Sequence, residues 1–83
     1  MKKQKLKILT PEGTAFEGFA DAVYVPGAAG RFEILPGHAP IISSLAPGVL
    51  RWKDGGKESS FPLRSGAIRL IDNEITICAE LER

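Results

Sequence analysis

Turn-forming residues break this sequence at short intervals, and that spacing constrains the fold more than any other feature. Thr10–Gly13 reads Thr-Pro-Glu-Gly, Pro-Gly pairs begin at Pro26, Pro36 and Pro47, and Asp54-Gly55-Gly56, Ser65-Gly66 and Asp72-Asn73 follow. Most segments between them fall short of the ten or so residues a helix wants. Several alternate with period two, the mark of a half-buried strand. Leu6 and Ile8 interleave with Lys5 and Lys7, Val23 and Val25 with Ala22 and Tyr24, and Leu50 and Trp52 with Val49, Arg51 and Lys53. Ile68 and Leu70 oppose Ala67, Arg69 and Ile71, while Ile75, Ile77 and Ala79 oppose Glu74, Thr76 and Cys78. Asp54-Gly55-Gly56 and Asp72-Asn73 supply residues that tolerate positive φ, as tight hairpins require. Pro62 cannot donate to a ladder, so its strand is expected at a sheet edge or beside a bulge. Only His38–Gly48 lacks clear alternation, and a single helical turn competes there. The reading is all-β, a sandwich or flattened barrel.

At 83 residues the chain is expected to form one domain over residues 1–83, with a thin stability margin. Eleven Lys and Arg against ten Asp and Glu leave a net charge of +1, without the basic excess of a nucleic-acid footprint. Cys78 stands alone, which excludes an intrachain disulfide and suggests a reducing compartment. No apolar run approaches the roughly 18–20 residues of a membrane span, and the basic start has too short an apolar stretch for a signal peptide. A soluble, cytoplasmic domain is expected.

Reagents are scarce. A thiolate–imidazole pair of Cys78 and His38 would need both side chains within hydrogen-bond reach, but a free Cys in an alternating strand is usually a small buried hydrophobe. One His and one Cys forty residues apart do not make a zinc ligand set. The glycines do not follow phosphate-loop spacing, and Glu12, Glu17, Asp21 and Glu33 read as a solvated face. Catalytic, metal and cofactor sites are all expected to be absent. An OB-like barrel binding single-stranded nucleic acid remains open, although the six aromatics are not interleaved with Lys and Arg along one strand. The other open reading is a small interaction module. In Gly30–Gly48 prolines and glycines stiffen a loop around Ile41, Ile42 and Leu45, a cluster that a small sandwich leaves partly exposed.

The run LPGHAPIISSLAPGVLR, Leu35–Arg51, resembles the signature of the epsilon subunit of the F-type ATP synthase. Thr10–Gly18, Val25–Gly37 and Leu63–Glu80 resemble the family's opening strands and closing hairpin in order. The resemblance implies a β-sandwich of two five-stranded sheets at the foot of the central stalk. Such a rotor subunit links the gamma subunit to the membrane c-ring, helps couple proton flow to ATP synthesis, and performs no chemistry itself. It sits on the cytoplasmic face of the bacterial inner membrane, attached only through the complex. Carried over by position, Thr10, His38 and Ser43 are the expected gamma contacts, with Ile41 and Ile42 adding apolar area. Gly27, Ala28, Ala29, Gly30, Arg31 and Phe32 are the expected c-ring contacts. Arg31 departs from the acidic or small residue many members place there, and calls for an acidic loop on the ring. On this reading His38 is an interface residue rather than a buried core histidine. The family's C-terminal helical hairpin would begin near Arg83, where this sequence stops, so its inhibition and its ATP site are expected to be absent.

Overall fold

The computed structural model describes residues 3–81, and every described element is a strand. In chain order these are β1 (Gln4–Thr10), β2 (Gly13–Ala20), β3 (Ala22–Gly27), β4 (Gly30–Ile34), β5 (Ile41–Leu45), β6 (Gly48–Asp54), β7 (Lys57–Ile71) and β8 (Glu74–Leu81). Expectations placed on Met1, Lys2, Glu82 and Arg83 lie outside the described residues.

A long hairpin forms the spine. β5 and β6 keep one register against β7, from Ile41 opposite Leu70 to Asp54 opposite Lys57. They are in effect one strand, interrupted at Ala46–Pro47. The hairpin turns at Gly55 and Gly56, with φ of 60° and 87°, the left-handed pair of a type I′ turn. Asp72 and Asn73, at φ 50° and 62°, close β7 onto β8 in the same way.

The spine bends at its interruption and feeds two layers. The second half of β7 carries β5 on one side and β8 on the other, and β8 continues into β1 and β2. The first half of β7 carries β6, then β3 and β4. The sandwich is as expected, but its strands are not two separate five-stranded sheets. Eight strands form one hydrogen-bonded network, because fifteen-residue β7 is long enough to serve both layers. Pro62 lies in the stretch of β7 that pairs only with β6, just before a register shift between Leu63 and Ser65. It occupies an edge and adjoins a bulge, as a residue without a donor should.

The inner faces meet in one core. Leu6, Ile8, Ile75, Ile77, Ile68 and Leu70 from one layer pack on Val23, Val25, Ile34, Leu50 and Trp52 from the other. Two contacts join strands that do not pair. Gln4 donates from Nε2 to the Ile34 carbonyl at 2.8 Å, and the Trp52 ring lies 4.8 Å from Phe16; Phe61, on the paired strand β7, stands 5.5 Å from the same ring.

Two expectations change. His38–Gly48 forms no helical turn. Pro36-Gly37 makes a tight turn in which the His38 N–H donates to the Leu35 carbonyl at 3.2 Å, and β5 follows from Ile41. Cys78 is exposed rather than buried, because the alternation that sends Ile77 and Ala79 inward sends Cys78 out.

Candidate functional site

The sandwich has two ends. One carries the Thr10–Gly13 turn, the β3–β4 hairpin and the Ala46–Pro47 bend. The other carries the Asp72–Asn73 turn, the Leu35–Pro40 loop and the Asp54–Gly56 turn. The expected contact residues divide between them.

The β3–β4 hairpin is held stiffly. Gly27 opposes Gly30 across the two-residue loop of Ala28 and Ala29. The Ala28 N–H donates to the Ser44 carbonyl at 3.0 Å, and Ala46 N–H donates to the Pro26 carbonyl at 2.7 Å. Gly27 is buried, and a Cβ there would stand 2.6 Å from the Gly30 carbonyl oxygen and 2.7 Å from the Phe32 ring. Its role is to close the hairpin, and Phe32 is half-buried against the core. Ala28, Ala29, Gly30 and Arg31 are the exposed members of the segment. The Arg31 guanidinium folds back to donate to the Val49 carbonyl at 3.4 Å, and it has no ion-pair partner among the described residues.

The other set does not make one patch. Thr10 ends β1 beside the hairpin end, where its hydroxyl donates to the Gly13 carbonyl at 3.0 Å. His38 is exposed at the opposite end, where the neighbouring Gly37 N–H is fixed by Asn73 Oδ1 at 2.7 Å. From Asn73 to Cys78, which pairs with Leu9 beside Thr10, β8 climbs five residues, about 16 Å. The same distance keeps His38 from Cys78. His38 Nδ1 instead lies 2.8 Å from the Ala39 carbonyl, which accepts from it in the tautomer that carries a proton on Nδ1. Between the ends, Ile42 is 84% exposed while Ile41 packs on the core and Ser43 turns half inward.

Charge is spread thinly. Lys3 pairs with Asp54 and, at 3.7 Å, with Asp21, and the Asp54 hydrogen bond chiefly raises its pKa above the ordinary lysine value. Arg51 reaches Glu58 at 3.2 Å, and Arg51 and Lys53 lie 5.2 and 5.9 Å from the Tyr24 ring centroid. Glu33 and Glu58 share that face, so it is not a basic groove. Among the described residues no three of His, Cys, Asp and Glu stand together as metal ligands.

Residues 3–81 match the family model of the ATP synthase delta/epsilon chain β-sandwich domain. The chain belongs to that family. An ATP synthase epsilon chain of Desulfitobacterium hafniense is 39% identical over 75 residues, 90% of this chain and 57% of the relative. One from Leptospira interrogans is 35% identical over 78 residues, 94% of this chain and 61% of the relative. The chain thus spans less than two thirds of the length of these relatives. A chain of the Euglena gracilis mitochondrial ATP synthase (OSCP/F1/c-ring) superposes with a TM-score of 0.87 at 21% identity, over 93% of this chain and 50% of the other. One from the central stalk/c-ring of the Tetrahymena thermophila mitochondrial ATP synthase gives 0.78 at 15% identity, over 94% and 63%. These two likenesses establish the fold.

The epsilon-type sandwich also sets residues that carry no expected role, Leu9, Ser44, Ala67, Arg69 and Thr76 among them, beside Cys78, Thr10 and Ile42, which do. Cross-strand pairing aligns Ser44, Ala67, Cys78 and Leu9 on the outer side of the β5-to-β2 layer. A shallow depression of about 380 Å³ lies at the end of this row, lined in part by Thr10, Ser65 and Gly66. The next row runs Ile42, Arg69, Thr76, Lys7 and Glu17. The alternation of β7 and β8 carried the signal for these outward residues. Only the pairing order, which alternation does not contain, shows which of them are neighbours.

Proposed function

We propose that this chain is the β-sandwich part of an ATP synthase central-stalk subunit, a rotor element that holds the gamma subunit and rests on the c-ring. It carries no catalytic residues and no cofactor. Its task is mechanical, helping to couple proton flow to ATP synthesis in other subunits. It reaches the cytoplasmic face of a bacterial inner membrane only through the complex. Residues 1–83 act as one unit in this role.

The observation that carries the reading, in a chain of this family, is the separation of two unlike docking elements. A stiff hairpin with exposed Ala28–Arg31 projects at one end, fit to bear on a ring of loops. An uncharged strand with Ile42 outward lies on the flank, fit to bury against a stalk. Thr10 and His38 bracket that flank at its two ends, so a gamma subunit touching both must cover its length. Ile41 and Ser43 support the strand from within.

Reconstitution with gamma and the c-ring tests this. The chain is expected to co-elute with both. Ile42→Asp should weaken gamma binding about 30-fold, because the interface loses an apolar anchor and must desolvate a carboxylate, a change of about 2 kcal/mol. Arg31→Glu should alter ring binding and leave gamma binding unchanged. Failure to bind either partner refutes the assignment.

A further inference from the structure

We infer that the free edge of β5 is completed in the assembled stalk by an extended segment of gamma, which adds to the sheet as a strand at Ile42. This rests on the gamma reading above and specifies how the contact is made.

The backbone directions come from two hydrogen bonds. The Ser44 carbonyl accepts from Ala28, and the Ala46 N–H donates to Pro26, so both residues turn their polar groups away from β7. In a strand, N–H and C=O of one residue point the same way and reverse at the next. Ile42 therefore turns both its groups away from β7 as well. It lies beyond the tip of the β3–β4 hairpin, since Leu45 is the last β5 residue that β3 reaches. No described residue accepts its N–H or donates to its carbonyl.

This edge is also the unguarded one. Free edges invite pairing, and proteins blunt them with charge, proline or bulges. β4 carries Arg31 and Glu33, β2 carries Glu17, and the open stretch of β7 carries Lys57, Glu58 and Pro62. β5 reads Ile-Ile-Ser-Ser-Leu and has none of these within it. An exposed isoleucine on an uncharged free edge is a liability in isolation and a fitting surface once a strand covers it.

By itself this edge is too small to hold a second copy of this chain. One free residue and one isoleucine fall far short of the roughly 800 Å² per partner of a stable interface, so edge pairing must be one part of a wider contact. The adjoining row indicates what that contact contains. Arg69 is paired with Ile42, exposed on the same face and without an ion pair among the described residues. The incoming strand should place an apolar side chain beside Ile42 and a carboxylate within reach of Arg69.

Amide exchange in the domain alone and in complex with gamma tests the proposal. Alone, the Ile42 amide should exchange fast while Ile41 and Ser43, bonded to β7, are protected. With gamma bound, Ile42 should slow by about 100-fold, into the range of ladder amides. Ile42→Pro removes the N–H without costing a bond to β7, and should weaken gamma binding about tenfold or more, while Ile42→Val stays within about twofold. Gamma binding with Ile42 still exchanging fast overturns strand addition and leaves the functional reading standing. Protection that grows with the concentration of the domain alone assigns the edge to self-pairing and overturns the proposal. No gamma binding overturns both.

Discussion

Replacing Gly27 by alanine should destabilise the whole sandwich, although the residue belongs to a segment expected to touch the ring. The added Cβ would lie 2.6 Å from the Gly30 carbonyl oxygen. Relief to an ordinary 3.4 Å contact requires a backbone shift of about 0.8 Å, from 3.4 − 2.6, within a loop of two residues. The Phe32 ring, 2.7 Å away, cannot absorb the change for it. Overpacking of this kind costs about 1–3 kcal/mol. A shift of this size also breaks the 3.0 Å bond from Ala28 to Ser44, adding about 0.5–1.5 kcal/mol. The total is about 1.5–4.5 kcal/mol. For a domain of 60–100 residues each kcal/mol moves Tm by about 4–8 °C, so thermal unfolding should fall by at least about 6 °C. Ala29→Ser, at an exposed position in the same turn, should change stability by less than about 0.5 kcal/mol. A Gly27→Ala domain melting within about 2 °C of the parent would show that the hairpin yields freely, and the stiffness argued for it would be wrong.

Trp52→Ala removes a side chain 4% exposed between Phe16 and Phe61, and should cost about 3–5 kcal/mol in urea titration. Lys3→Gln tests the raised lysine pKa. A group with a raised folded pKa stabilises below its unfolded pKa, so the parent should out-melt the variant up to about pH 10.4 and lose that advantage as pH rises through the raised value. Cys78 should react with a thiol reagent in the folded domain without an unfolding step, and Cys78→Ser should change stability by less than about 0.5 kcal/mol; a thiol that reacts only in denaturant contradicts its outward placement.

The strands were legible because their turns have a chemistry that few residues supply. Asp54-Gly55-Gly56 and Asp72-Asn73 mark both hairpins of β7, and the inward residues of β1, β6, β7 and β8 follow from alternation. β5 hid its alternation because both of its faces begin with isoleucine. Ile41 and Ile42 look alike in sequence, yet one packs on the core and the other meets solvent. At Cys78 the period of the strand outweighs residue type, and the thiol faces out between buried Ile77 and Ala79. The contact residues were least legible. The segment Gly27–Phe32 mixes a buried closing glycine, an exposed tip and a half-buried ring, and only the cross-strand geometry separates them.

The parallel pairing of β1 with β8 sets the order in which the chain can acquire its structure. Lys5–Leu9 lie beside Glu74–Cys78, so a central seam of the sandwich joins segments 69 residues apart (74 − 5). During synthesis the β1–β2 hairpin is complete at Ala20, but 57 more residues (77 − 20) must appear before Ile75 and Ile77 can pair with Leu6 and Ile8. At about 5–20 residues per second, that leaves a greasy, half-made ladder waiting for about 3–11 s. Long-range pairing of this kind also places folding in the slow, millisecond-to-second class. A nascent chain with this topology is thus most exposed to misassociation before β8 arrives, and a ribosome-associated chaperone would find its substrate in that interval.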